Sequence, residues 1–138
     1  MPTRFCLIIA LLLAAWPQSS QAAPAPPTNV QAAPVPYVAR ATITWAASPT
    51  SGVFYRVYRS QTIGSNGTIL VDDLNALTYT DAAVVYNTTY YYHLAAVFAG
   101  VESTLSSVVI VKPVLPIPIN VKAADTKQGR EIKITWDR

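Results

Sequence analysis

Displaced along itself by 91 residues, the chain matches its own beginning: Pro27-Thr28-Asn29-Val30-Gln31-Ala32-Ala33 falls on Pro118-Ile119-Asn120-Val121-Lys122-Ala123-Ala124. Without a gap, Ile43-Thr44-Trp45 then falls on Ile134-Thr135-Trp136, so that 8 of the 21 positions from 27 to 47 are identical, a tryptophan among them. Two separated clusters that keep register across a dissimilar stretch are the mark of a tandem repeat. A period of this size fits an array of small domains better than a solenoid of helical pairs. In a chain of 138 residues the second copy extends only two residues past its tryptophan. The organisation expected is therefore one complete domain over 24–112, a proline-rich linker over 113–119 and a truncated start of a second repeat over 118–138. Prolines 113, 116 and 118 make that linker an extended, semi-rigid spacer.

The first 22 residues belong to a different object. Arg4 precedes twelve apolar residues from Phe5 to Trp16, and Ser20 and Ala22 flank Gln21 in a small-x-small pattern. This is the layout of a cleaved export signal, and twelve residues fall short of the roughly 20 that span a bilayer. Cys6 lies at the start of the apolar run and not just after it, where a lipoprotein cysteine would stand. Cleavage after Ala22 removes the only cysteine, leaving no thiol, no disulfide and no stable membrane anchor. The expected location is secreted, periplasmic or cell surface. Between Pro24 and Lys112 the four basic residues Arg40, Arg56, Arg59 and Lys112 balance Asp72, Asp73, Asp81 and Glu102, and the net charge of +3 comes from the two ends. A domain without a basic stripe lacks the electrostatic footprint of nucleic-acid binding.

Within this domain the hydrophobic pattern has period two. Ala41, Ile43 and Trp45 alternate with Arg40, Thr42 and Thr44; past the turn at 48–52, Val53, Tyr55 and Val57 alternate with Phe54, Arg56 and Tyr58. Gly64-Ser65-Asn66-Gly67 marks a loop, and short runs follow at 68–71 and 77–81. The longest run, Thr88 to Ala99, is rich in tyrosine and ends at Gly100, with Val101 to Val111 as its expected partner. Seven short strands separated by regular turns indicate an all-β, antiparallel, immunoglobulin-like β-sandwich. The inward set is Val30, Ile43, Trp45, Tyr55, Val57, Tyr90, Tyr92, Leu94 and Ala96.

Taken together, the opening Pro-x-Asn-Val-x-Ala, Ile43-Thr44-Trp45, Tyr55-Arg56-Val57-Tyr58-Arg59 and Tyr79-Thr80-Asp81 followed by Thr88-Thr89-Tyr90-Tyr91-Tyr92 and Ala96-Val97 resemble a fibronectin type III domain of the bacterial secreted kind. The resemblance covers residues 27 to about 111 and, for the first two strands only, 118–138. It implies a sandwich of three and four strands with Trp45 in the core. It also implies that Tyr90 is a corner tyrosine whose hydroxyl bonds upstream backbone. Two strands cannot close a sandwich core, so the second copy is expected to be poorly ordered by itself.

Catalytic chemistry finds little to work with. His93 is the sole histidine and points outward beside Tyr91, whereas a general base needs a positioned partner and a metal site several ligands. Asp72 and Asp73 are sequence neighbours on a strand and face opposite ways, unlike the paired carboxyls of a glycosidase. They read as solvated charges, and Asp81 reads as a turn former. No serine lies in a Gly-x-Ser-x-Gly elbow, no glycine loop precedes a lysine and helix, and Asn87-Thr88-Thr89 reads as a turn although it fits a glycosylation sequon. No enzyme activity, metal or other cofactor is expected.

The one face suited to binding follows from the resemblance. If the strand of 53–58 neighbours the strand after Thr88, the outward residues Phe54, Arg56 and Tyr58 lie beside Tyr91 and His93, and rings with an arginine can stack on a polysaccharide or on another surface protein. Against this stands the ordinary use of aromatics in cross-strand pairing. The function expected is a non-catalytic extracellular or periplasmic module, either a spacer or an adhesion or carbohydrate-binding accessory domain. The alternatives are an accessory fragment of a secreted hydrolase whose catalytic domain lies outside this chain, and a short protein whose tail donates strands to another chain.

Overall fold

A computed structural model describes residues 21–137. The expected export signal falls outside these residues, apart from Gln21 and Ala22. All regular structure described is β. Strand β1 (Thr28–Pro34) pairs antiparallel with β2 (Ala41–Ala46), which pairs on its other side with β5 (Thr78–Asp81), giving a three-stranded sheet. The second sheet is ordered β4 (Thr68–Leu74), β3 (Phe54–Ser60), β6 (Tyr90–Phe98) and β7 (Val101–Glu102), with β8 (Val109–Val111) also on β6. The two sheets form the expected immunoglobulin-like sandwich of three and four strands, the last strand being divided.

The core lies where the period-two pattern places it. Ile43, Val57, Tyr90, Tyr92, Leu94 and Ala96 are fully or almost fully buried, and Trp45 and Tyr55 nearly so. Each large side chain contributes about 1.5–3 kcal/mol of burial before entropy is counted. Trp45 meets Tyr55 edge-on, with ring centroids 5.4 Å apart. The Tyr55 hydroxyl accepts the Ser48 N–H at 2.9 Å, which anchors the turn after β2. Val30 is only partly buried, because β1 is an edge strand bent by an irregularity where Asn29 takes a φ of 50°.

Two boundaries differ from the sequence reading. The run 101–111 is two short strands, because Ser103 and Ser106 insert their hydroxyls into the ladder. The Ala96 N–H donates to Ser103 Oγ at 2.9 Å and the Leu94 N–H to Ser106 Oγ at 3.0 Å, while both serine N–H groups donate to carbonyls of β6. Side-chain oxygens thus replace backbone carbonyls as acceptors. Pro113 belongs to the domain, not the linker: its ring is fully buried and its carbonyl accepts the Asn87 N–H at 2.7 Å. The first two strands of the second copy are β9 (Ile119–Asp125) and β10 (Ile132–Asp137), which pair as a hairpin whose strand residues are all exposed. Gly67 is required where it stands, because at φ +75° a Cβ would collide with the Arg59 carbonyl.

Candidate functional site

Strands β3 and β6 are direct neighbours, so the outward residues do share one face. Tyr58 pairs with His93, Arg56 with Ala95 and Phe54 with Val97, while Tyr91 lies opposite Ser60. Phe54 therefore stands at one end of the face and Tyr91 at the other. Between them the polar groups bind each other. Arg56 donates from Nε to Asp72 Oδ1 at 2.9 Å and from a terminal nitrogen to Oδ2 at 2.8 Å, a two-pronged pair, and from its second terminal nitrogen to Glu102 at 2.8 Å. The Tyr58 hydroxyl donates to the other oxygen of Glu102. Asp72, read from sequence as a solvated charge, is thus one jaw of a clamp on Arg56. The clamp forms because β4 and β7 flank β3 and β6 and bring one carboxylate to each side.

The electrostatics follow from these contacts. The Asp72 carboxyl is held below its usual range by the Arg56 guanidinium, and Arg56 is raised by the same bond. The Tyr58 phenol is pushed up by partial burial and by its bond to Glu102. Three of the five Arg56 N–H groups and the Tyr58 O–H are engaged within this clamp, while the Asp72 side chain keeps 46% of its surface exposed.

The inner end of the sandwich holds a second network that the sequence reading missed. Asp81, taken for a turn former, is only 2% exposed. It does turn the chain, since Oδ1 accepts the Ala83 N–H at 2.8 Å, but Oδ2 accepts from Arg59 at 2.8 Å and from the Tyr92 hydroxyl at 2.9 Å. Arg59 also lies over the Tyr90 ring, 5.3 Å from its centroid. Burial, then the bond to Asp81, drives the Tyr92 phenol far above its usual value of 10.0. The signal was present in β3: Arg59 continues the inward series Tyr55, Val57, and an inward arginine needs a buried anion.

Phe54 is exposed at one end of the outer face, Tyr58 and Glu102 border a hollow of about 300 Å³ with Asn66 and Ser103, and a smaller hollow lies at the Tyr91 end. Ile63, Gly64, Asn66, Tyr91, His93 and Ile110 line a shallow hollow of about 120 Å³. His93 Nδ1 is 3.4 Å from the Ser106 carbonyl oxygen. Among the described residues no three or more His, Cys, Asp or Glu side chains gather as metal ligands.

No family model matches the sequence, and no curated protein does. Solved structures do match. A fibronectin type III-like protein from Clostridium thermocellum is 36% identical, covers 70% of this chain and 100% of its own, and superposes with a TM-score of 0.61. This chain belongs to the fibronectin type III family. A structure described as FN3tt, 18% identical over 68% of this chain and 98% of its own with a TM-score of 0.57, shares the fold. So does one described as a myokine, 16% identical over 67% of this chain and 99% of its own with a TM-score of 0.54. In the fibronectin type III frame, Tyr90 is the corner tyrosine that the resemblance implied: its hydroxyl accepts the Val85 N–H, five residues upstream, at 2.9 Å. The Arg59–Asp81–Tyr92 network beside it ties β3, β5 and β6 together across both sheets of this fibronectin type III domain.

Proposed function

We propose that this fibronectin type III domain serves as a non-catalytic spacer in an exported protein, holding other parts of an assembly apart without itself gripping a ligand. The observation that carries this reading is the closed clamp on the outer face, where Arg56, Tyr58, Asp72 and Glu102 satisfy one another. A binding face keeps such hot-spot groups available to a partner, and here they stiffen the sheet. Export is supported by the sequence pattern of residues 1–22, and the work of a spacer by the tandem repeat and the proline linker. The chain without residues 1–22 is expected to pass unretained through insoluble cellulose, chitin and xylan. Retention that Tyr58→Ala and Tyr91→Ala abolish would replace the spacer reading with carbohydrate binding at the Phe54–Tyr91 face.

A further inference from the structure

The hairpin β9–β10 repeats β1–β2 in register: Lys122 opposite Thr135 and Ala124 opposite Lys133 answer to Gln31 opposite Thr44 and Ala33 opposite Thr42. The bulge recurs, with Asn29 at φ 50° and Asn120 at φ 52°. So does the bond that closes the connecting loop: the Val35 N–H to the Arg40 carbonyl at 2.9 Å, and the Thr126 N–H to the Glu131 carbonyl at 3.3 Å. Equivalent positions carry different charges. Where the first copy has Gln31, Pro36, Ala39 and Thr42, the second has Lys122, Lys127, Arg130 and Lys133.

All four of these cationic residues are exposed. Lys122 and Lys133 project from the side of the hairpin opposite to Ile134 and Trp136, as diagonal neighbours about 7–8 Å apart. Lys127 and Arg130 stand in the connecting loop, next to Lys133. The second copy also carries three acidic residues, two of which are held by the hairpin's own donors. Asp125, on the apolar side opposite Ile132, accepts the Lys127 N–H at 2.8 Å, and Asp137, at the far end, accepts the Asn120 amide at 2.8 Å. Glu131 is then the one acidic group left among the four cations. Among the described residues none of these four forms an ion pair, whereas Arg56 and Arg59 of the closed domain are both paired.

We propose that the outward side of β9–β10 and its loop, carrying Lys122, Lys127, Arg130 and Lys133, is a docking surface for an acidic polysaccharide chain. Charge complementarity specifies the occupant. Three of the four cations are lysines, compact point charges that attract a row of anionic groups without the fixed fork of an arginine. They lie on an open strand face and a loop, which suits a polymer charged at successive units better than a single small anion. A bilayer suits the surface less. Val121, Ile132, Ile134 and Trp136 face the other way, so the cations and the apolar anchors cannot enter one membrane surface together. The export pattern of residues 1–22 favours a polyanion met outside the cell over a nucleic acid. The closed domain, whose four basic and four acidic residues balance, offers no such surface. The proposal holds whether that domain is a spacer or binds neutral sugar.

The test measures binding of the chain without residues 1–22 to immobilised alginate, a polyuronate, by surface plasmon resonance. Binding is expected at about 20 mM salt and is expected to be lost by about 300 mM, where exposed charges are screened. Lys122→Gln, Arg130→Ala and Lys133→Thr together restore the residues of the first copy and should weaken binding by about tenfold or more. The melt of the closed domain should be unchanged in this triple variant, so that the loss reads the surface alone. Arg40→Gln with Lys112→Gln, which takes two positive charges from the closed domain, should leave binding within about twofold. Absence of binding at low salt, or binding that the triple variant keeps, overturns the proposal. Tighter binding to phosphatidylglycerol vesicles than to alginate would overturn it in favour of a membrane.

Discussion

The β1–β2 and β9–β10 hairpins share their register, their bulge and their loop-closing bond, yet one forms a wall of a closed core and the other stands open to solvent. The difference separates two levels of information. Pairing and face alternation are written in the strands themselves: an asparagine that tolerates a positive φ bends the first strand, and Ile-Thr-Trp alternates on the second. Burial is written elsewhere, in residues 53–113, which cover the first hairpin; among the described residues nothing buries the strands of the second.

The largest contrast is expected at the paired tryptophans. Trp45→Ala should lower the stability of the closed domain by about 3–5 kcal/mol in a denaturant melt, whereas Trp136→Ala, at the same place in the repeat, should change it by less than about 0.5 kcal/mol. Equal losses at both positions would mean that the second hairpin is packed after all.

A smaller effect is expected where the closed domain has something that the open hairpin lacks. Through Asp81, β5 is tied both to β2 and to the opposite sheet. Asp81→Ala leaves Arg59 and the Tyr92 hydroxyl without their acceptor at a nearly solvent-free site, and should destabilise the domain by about 3 kcal/mol in the same melt. It should also speed amide exchange in β2 and leave β10 unaffected. The Tyr92 phenol adds a pH signature: its value in the folded state is raised, so its contribution is complete below about pH 10 and is lost as the pH rises beyond that. Tyr92→Phe should flatten the alkaline limb of the stability curve.

The least effect belongs to the outer clamp. Asp72 is held below its usual range, so its contribution is present above the ordinary carboxylate value and is lost as the pH falls through the lowered one. Arg56→Gln should remove that acid-side loss, read as a small change in melting midpoint between pH 5 and pH 3, and should leave the exchange of both hairpins as it was.

Much of the sandwich is legible in the sequence, because alternation decides which side of a strand meets the core. Tyr55 and Val57 on β3, and Tyr92, Leu94 and Ala96 on β6, point inward as their spacing requires. Asp81 escapes such a reading: a Thr-Asp at a strand end looks the same whether the second carboxyl oxygen faces water or a buried arginine, and the partner that decides it lies 22 residues away. Ser103 and Ser106 are hidden for a similar reason, since hydroxyls that stand in for carbonyls leave no periodic trace. Pro113 reads as linker by composition and is claimed for the domain by one ring and one carbonyl. The Phe54, Arg56, Tyr58, Tyr91 and His93 face is placed together by alternation and by the strand neighbours that the resemblance implies, but the clamp that occupies its centre depends on Asp72 and Glu102, which enter from strands flanking it on either side.

Residue-resolved hydrogen exchange of the 138-residue chain under native conditions tests the central contrast most directly. The amides of β2, such as Ile43 and Trp45, should exchange only through global unfolding, and the matching amides of Ile134 and Trp136 should exchange orders of magnitude faster. Comparable protection in the two hairpins would contradict the account of one closed sandwich beside one open copy of its first two strands.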